Sequence, residues 1–263
     1  MDRQSGYSTP WELASRLKRL DPSLNISKVK PSSISKSSSN QNAGRTKSPP
    51  VPKKNCSDIK KEDSPQLQAF VVSYCPFGLQ MQRLLSEIIE KIPASSKNIK
   101  VRHIGNSSKD SISSMHGQQE ADENLVQICI REEQSDRYWK YVMCFAKSGS
   151  SDDCLNSSEV DEGILKECKT QKNRGIKYAE HDFEIARKFR ASGSPTLILN
   201  NETVSEFDFG GRTDEAVKTL LCCGFSSKPN FCSQNLNTSK VATGFSIRNR
   251  AKSDLQPPAA KAA

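Results

Sequence analysis

Gln66 to Tyr74 is a run of apolar, β-branched and aromatic residues, and it predicts a buried strand. Cys75-Pro76-Phe77-Gly78 follows directly. Leu79, Leu84, Leu85, Ile88 and Ile92 then predict a helix, which Pro93 ends. Ile99 to Ile104 predicts a second strand, and a mostly helical stretch runs from about Gly117 to Arg190. Strand returns at Thr196 to Asn200, turns at Asn200-Asn201, and resumes from Thr203 to Phe209. Gly210-Gly211 breaks it, and Thr213 to Leu221 closes the pattern as a helix. Far upstream, Trp11, Leu13, Leu17 and Leu20 recur at helical spacing. They fit a transient amphipathic helix in a tail, or one that docks on a partner or membrane surface.

The order is β-α-β, a helical insertion, then β-β-α, with no internal repeat. That order predicts an α/β class with one mixed sheet, the thioredoxin architecture. Composition sets the expected limits of this domain at 67–232, with the insertion at about 117–190. Residues 1–66 hold 14 Ser and 7 Pro, too little apolar surface to offset chain entropy, and read as a disordered tail. Residues 233–263 lack periodicity and read the same way. Charge divides along these lines: +7 over 1–66, −2 over 67–232, and +4 over 233–263. The basicity lies in the tails, so the +9 total does not point to a folded nucleic-acid reader. No apolar run reaches the ~18 residues of a membrane span, and none near Met1 resembles a signal-peptide core.

Nine cysteines are the chemical feature, eight of them in the predicted domain. No His stands at zinc spacing from any of them, so disulfides are the better account and no metal or cofactor is expected. Asn-x-Ser/Thr sequons at Asn25, Asn55, Asn106, Asn156, Asn201 and Asn237 also point to a glycosylated, extracytoplasmic protein, secreted or in the lysosomal or endomembrane lumen. The cytoplasm is the alternative where no signal segment is seen. Cys75 differs from the rest because a strand ends and a helix begins there. A helix start favours the thiolate, and Pro76 suits the first helical position. A second thiol three residues on would resolve a mixed disulfide, but that position is Gly78. Cys75 is therefore either a single nucleophile or a semi-buried relic.

Ser114 to Asn124, followed by Cys129, resembles the signature of the gamma-interferon-inducible lysosomal thiol reductase (GILT) family. That signature runs Cys-Gln-His-Gly, two residues, Glu-Cys, two residues, Asn, four residues, Cys. His116, Gly117, Glu120, Asn124 and Cys129 match it at the right spacing. Ser114 and Ala121 stand where two signature cysteines would be, as if one disulfide had been lost as a unit. The resemblance runs on through Cys144, Cys154, Cys168, Ser194-Pro195-Thr196 and Cys222. Cys75 to Gly78, Tyr138 to Tyr141 and Gly193 to Thr196 are also similar to DsbA-like thioredoxin-fold proteins.

The resemblance implies exchange or reduction of protein disulfides, with Cys75 and a cis Pro195 as the catalytic positions. Pro76, Phe77, Gly78, Ser194 and Thr196 would flank a substrate groove. His116 and Glu120 share a helix face, as an acid/base pair or simply as the start of a helix. The four insertion cysteines allow three pairings; Cys129–Cys168 with Cys144–Cys154 is the favoured set, each locking a helical hairpin. Cys222–Cys232 would pin the chain after the last helix, leaving Cys56, Cys75 and Cys223 as thiols. Expected partners are protein disulfides or small-molecule thiols, with no nucleic acid, and the protein is expected to be a monomer. The competing class is an inactive thioredoxin-fold module that binds peptides. If thioredoxin spacing holds, Gly78→Cys should form a dithiol with Cys75 without backbone movement.

Overall fold

The computed structural model describes residues 53–171 and 173–245. The apolar pattern at Pro10 to Leu20, the rest of residues 1–52 and residues 246–263 lie outside them. Strand β1 (Leu67–Val71) leads into helix α1 (Pro76–Lys91) and strand β2 (Ile99–His103). A small hairpin, β3 (Asn106–Ser107) and β4 (Ile112–Ser113), precedes the insertion. The insertion is five helices: α2 (Gln118–Glu133), α3 (Ser135–Ser148), α4 (Ser151–Ser157), α5 (Glu162–Thr170) and α6 (Arg174–Lys188). Strands β5 (Thr196–Leu199) and β6 (Glu202–Val204) and helix α7 (Asp214–Cys223) complete the fold.

The sheet order is β2-β1-β5-β6, with β1 parallel to β2 and antiparallel to β5, and β5 antiparallel to β6. Ala69 lies opposite Val101 on one side and Leu197 on the other. Side chains alternate between the faces of the sheet, so β1 is apolar on both. Leu67, Ala69 and Val71 pack with Leu84, Leu85 and Ile88 of α1, Val217 and Leu220 of α7, and the α2–α3 pair. Phe70, Val72 and Ile198 face the other way, onto Ile104, Ala186 and Ala191 at the end of α6. This is the thioredoxin fold, with a helical insertion between its two halves. No described helix is long and apolar enough to cross a membrane.

The strand expected to run to Phe209 ends at Val204. Ser205 Oγ accepts the Phe207 N–H, a 3-10 turn follows over Glu206–Phe209, and Gly210 closes it at φ 119°. The β3–β4 hairpin was not expected, because two-residue strands carry no readable alternation.

Disulfides join Cys129 to Cys168, Cys144 to Cys154, and Cys222 to Cys232. The first links α2 to α5 across two intervening helices, whereas a hairpin staple was expected. Cys56 and Cys223, read from the sequence as thiols, form a fourth bridge across 167 residues. Cys75 is the free cysteine of the nine.

Packing extends past both limits that composition suggested. Upstream of Leu67, Ile59 is buried, and Glu62 exchanges backbone hydrogen bonds with Gly224 and Ser226. Downstream of Cys232, Val241 is buried and its carbonyl accepts from Gln80 Nε2 at 2.5 Å. The Arg83 guanidinium donates to the carbonyls of Ala146, Ala242 and Gly244. These segments are held mostly by backbone groups and a few side chains, which leaves no periodicity in their sequence to read.

Candidate active site

Cys75 caps the N-terminus of α1, with Pro76 as the first helical residue. Its Sγ lies 3.3 Å from the Ser194 carbonyl, just before the cis Ser194–Pro195 peptide. The strand expected to run to Tyr74 leaves the sheet after Val71, and the next three N–H groups find side-chain acceptors. Val72 N–H donates to Ser194 Oγ at 3.0 Å, Ser73 N–H to Asn124 Oδ1 at 3.0 Å, and Tyr74 N–H to Glu120 Oε2 at 3.1 Å. The residues before Cys75 are thus fixed by one group from the proline loop and two from α2.

The signature residues gather behind this turn. Glu120 is buried; its Oε1 accepts from Ser114 Oγ (2.7 Å) and His116 N–H (3.1 Å), and its Oε2 lies 2.7 Å from His116 Nδ1. Burial pushes the Glu120 carboxyl up, but the bonds from His116, Ser114 and the Tyr74 backbone outweigh it and hold the group below the usual carboxylate range. Asn124 Nδ2 donates to Ser114 Oγ at 3.0 Å, closing the network. Gly117 begins α2 at φ 97°, a conformation that suits glycine. Ser114, at a signature cysteine position, has become part of this polar support, and Ala121, at the other, is fully buried. The arrangement positions Cys75. It does not bring His116 or Glu120 to the sulfur.

Gly78 is buried beneath Cys75 and Ser194. A Cβ there would stand 2.8 Å from the Val72 carbonyl oxygen, 2.5 Å from Ser194 Oγ and 3.4 Å from Cys75 Cβ. The expectation that cysteine enters at 78 without movement is therefore corrected, because the nearest backbone must shift first. Pro76 and Phe77 are exposed, and Ser194, Pro195 and Thr196 are half-buried. Thr196 Oγ1 donates to the Gly193 carbonyl at 2.8 Å.

Two neighbours had no signal in the sequence. The Arg212 guanidinium sits between the rings of Phe77 and Phe207, 5.0 and 5.3 Å from their centroids. Arg212 also donates to Glu206 Oε1 and Gln80 Oε1, which hold it in place. The C-terminal segment crosses the start of α1: Gly244 N–H donates to the Pro76 carbonyl at 3.1 Å, and Phe245 packs edge-on to Tyr74 and Phe145.

Residues 66–170 match the family model described as gamma interferon inducible lysosomal thiol reductase (GILT). The chain is GILT-like over that span. The GILT-like segment holds Cys75, the Glu120 network and the Cys129–Cys168 bridge, whereas Pro195 and α7 lie beyond it. No curated protein matches the chain. Among solved structures it is similar to ScsC of Proteus mirabilis, at 16% identity and TM-score 0.38, covering 56% of this chain and 63% of that one. It is also similar to BdbD of Bacillus subtilis, at 16% identity and TM-score 0.43, covering 62% and 89%. The thiol-disulfide exchange protein alpha-DsbA2 of Wolbachia pipientis matches at 12% identity and TM-score 0.41, covering 56% and 76%. The chain spans a little under two thirds of the ScsC it matches.

Proposed function

We propose that this GILT-like protein is a thiol-disulfide oxidoreductase that works through Cys75 as a single nucleophile. The observation that carries the reading is one free thiol at a helix start, 3.3 Å from the carbonyl that precedes cis Pro195. A helix N-terminus favours negative charge, so an attacking sulfur is well placed there. Cys75 would attack one sulfur of a disulfide, form a mixed disulfide, and release the other sulfur as a thiolate. An extended substrate would lie along Ser194-Pro195-Thr196, with the exposed Phe77 beside it. Its partners would be protein disulfides or small thiols, and the working unit a monomer with residues 67–232 as its catalytic core.

Four disulfides support an oxidising, extracytoplasmic compartment, and the family description names a lysosomal protein. Asn55, Asn106, Asn156 and Asn201 are exposed, as glycan acceptors must be.

The test is mild alkylation at neutral pH followed by intact mass, alongside insulin-disulfide reduction. We expect one rapid label at Cys75 and weak reduction that Cys75→Ser abolishes. The closed position at Gly78 favours the second reading, an inert peptide-binding module. A Cys75 that resists labelling and a Cys75→Ser variant that changes nothing would establish that reading instead.

A further inference from the structure

A cavity of about 500 Å³ opens against the apolar cluster on which Cys75 packs, lined by the neighbours of Cys75 and not by Cys75 itself. Its floor includes Ile104, Ala186 and Ala191, which belong to the apolar cluster that Cys75 itself packs against. Its walls come from the two loops that flank Cys75. One carries Ser114 and Met115 and is tied through Glu120 to Tyr74; the other carries Ser192 and leads to Ser194-Pro195. Arg187 and Arg190 complete the lining at the end of α6. Both are exposed, neither has a side-chain hydrogen bond or ion pair among the described residues, and no acidic residue lines the cavity. The volume falls in the range of small-molecule sites, roughly 300–1,000 Å³.

We propose that this cavity binds a low-molecular-weight anionic thiol that recycles Cys75. The inference rests on the nucleophile reading above. Because the other eight cysteines are in disulfides and position 78 is closed, a mixed disulfide at Cys75 has no internal thiol to resolve it. The resolving thiol must come from outside, and a paired guanidinium rim suits a ligand with carboxylates. Its thiolate attacks the Cys75 sulfur of the mixed disulfide; a new S–S bond forms, the old one breaks, and the departing substrate thiolate takes a proton from water. A second ligand thiolate then attacks the ligand's own sulfur and frees Cys75. Two ligand thiols become one disulfide for each substrate disulfide reduced.

S-methylglutathione, which keeps the carboxylates and cannot exchange, is the probe for the site, titrated into full-length Cys75→Ser. We expect saturable binding, weakened about tenfold or more by Arg187→Ala with Arg190→Ala, since the charged hydrogen bonds to the ligand's carboxylates are lost. The paired Arg→Lys variant should keep most of it. No saturable binding, or equal binding after both arginines are removed, overturns the site. A second measurement follows mixed-disulfide formation at Cys75 by mass, with oxidised glutathione and with neutral bis(2-hydroxyethyl) disulfide. Loss of the arginines should slow the first reaction about tenfold and leave the second unchanged. Equal slowing of both overturns the proposal. If Cys75 in the unaltered chain reacts with neither disulfide, the nucleophile reading fails and the recycling role falls with it, whatever the titration shows about the cavity.

Discussion

Cys75 and the adjacent pair Cys222-Cys223 occupy opposite ends of helices. Cys75 precedes the first turn of α1, half-buried, with a carbonyl and no sulfur within bonding reach. Cys222 and Cys223 are the last two residues of α7, both buried, and each is bound to a different segment of chain. The first setting offers the positive end of a helix dipole to an attacking sulfur; the second offers carbonyls and a bonded partner. The same residue type becomes reagent or staple according to helix end and available partner. A count of cysteines cannot tell the two apart.

Exchanging serine for each cysteine should break this comparison most sharply. Cys75→Ser should remove all disulfide exchange, whereas Cys222→Ser with Cys232→Ser should leave the rate per folded molecule unchanged. Free-thiol titration in denaturant should find one thiol in the unaltered protein, where sequence reading alone counted three. Stability should show the reverse order. The Cys56–Cys223 bridge closes 167 residues, and on the chain-entropy model its loss costs about 5 kcal/mol. Cys144–Cys154 closes 10, and its loss costs about 3 kcal/mol. Denaturant unfolding of Cys56→Ser and Cys144→Ser should separate the two. Equal losses would mean that the N-terminal segment is held by packing without help from its bridge.

Much of the fold was legible because its central strands and α1 have strong local patterns. Leu79, Leu84, Leu85 and Ile88 repeat at helical spacing and do face the core. The position of Cys75 followed from the strand-to-helix junction, and the GILT-like signature marked the right neighbours. What that signature does was not legible. His116 and Glu120 read from the sequence more readily as a helix start than as an acid/base pair, and only the tertiary structure shows Glu120 accepting from the Tyr74 backbone. Cys56–Cys223 was missed for a related reason: nothing local links two residues 167 apart. The Phe77–Arg212–Phe207 stack likewise joins segments that share no pattern.

Smaller effects should come from the glycines at the two helix ends. Gly78→Ala places a methyl against the Val72 carbonyl and Ser194 Oγ, and overpacking of this kind costs about 1–3 kcal/mol. Gly224→Ala, just past α7, meets the side chains of Asn200 and Leu199 at 3.1 Å. Those can yield, so its cost in thermal or denaturant unfolding should be the smaller. Adding Ser194→Gly to Gly78→Ala should recover only part of the loss, since the backbone contact stays. Full recovery would show that the serine hydroxyl alone closes the site.

For the unaltered chain, the smallest expected effect is the response to acid of the support beneath Cys75. Glu123, one residue from the Asn124 that holds Ser73, is buried and accepts from Tyr141 Oη and Gln127 Nε2. Burial pushes its carboxyl up to about 7, against bonds from Gln127 and Tyr141 that lower it. Gln127 Oε1 lies 3.2 Å from Nε2 of His103, whose imidazole is pushed down to about 4, first by burial and then by Arg131. The two titrations oppose each other. Between about 4.5 and 7 the unfolded chain has released the Glu123 proton and the folded chain keeps it, so this group lowers stability as pH rises. Between about 4 and 6.5 the unfolded chain protonates His103 and the folded chain does not, so that group raises stability as pH rises. Across the shared window the slopes largely cancel, and unfolding free energy should vary little. Glu123→Gln removes one of them. Its stability should fall by roughly 2–3 kcal/mol on acidification from 6.5 to 4, at 1.36 kcal/mol per pH unit of separation. His103→Gln should invert the trend, losing stability from 4.5 toward 7. A flat profile in both variants would mean that neither group titrates differently in the folded and unfolded chains.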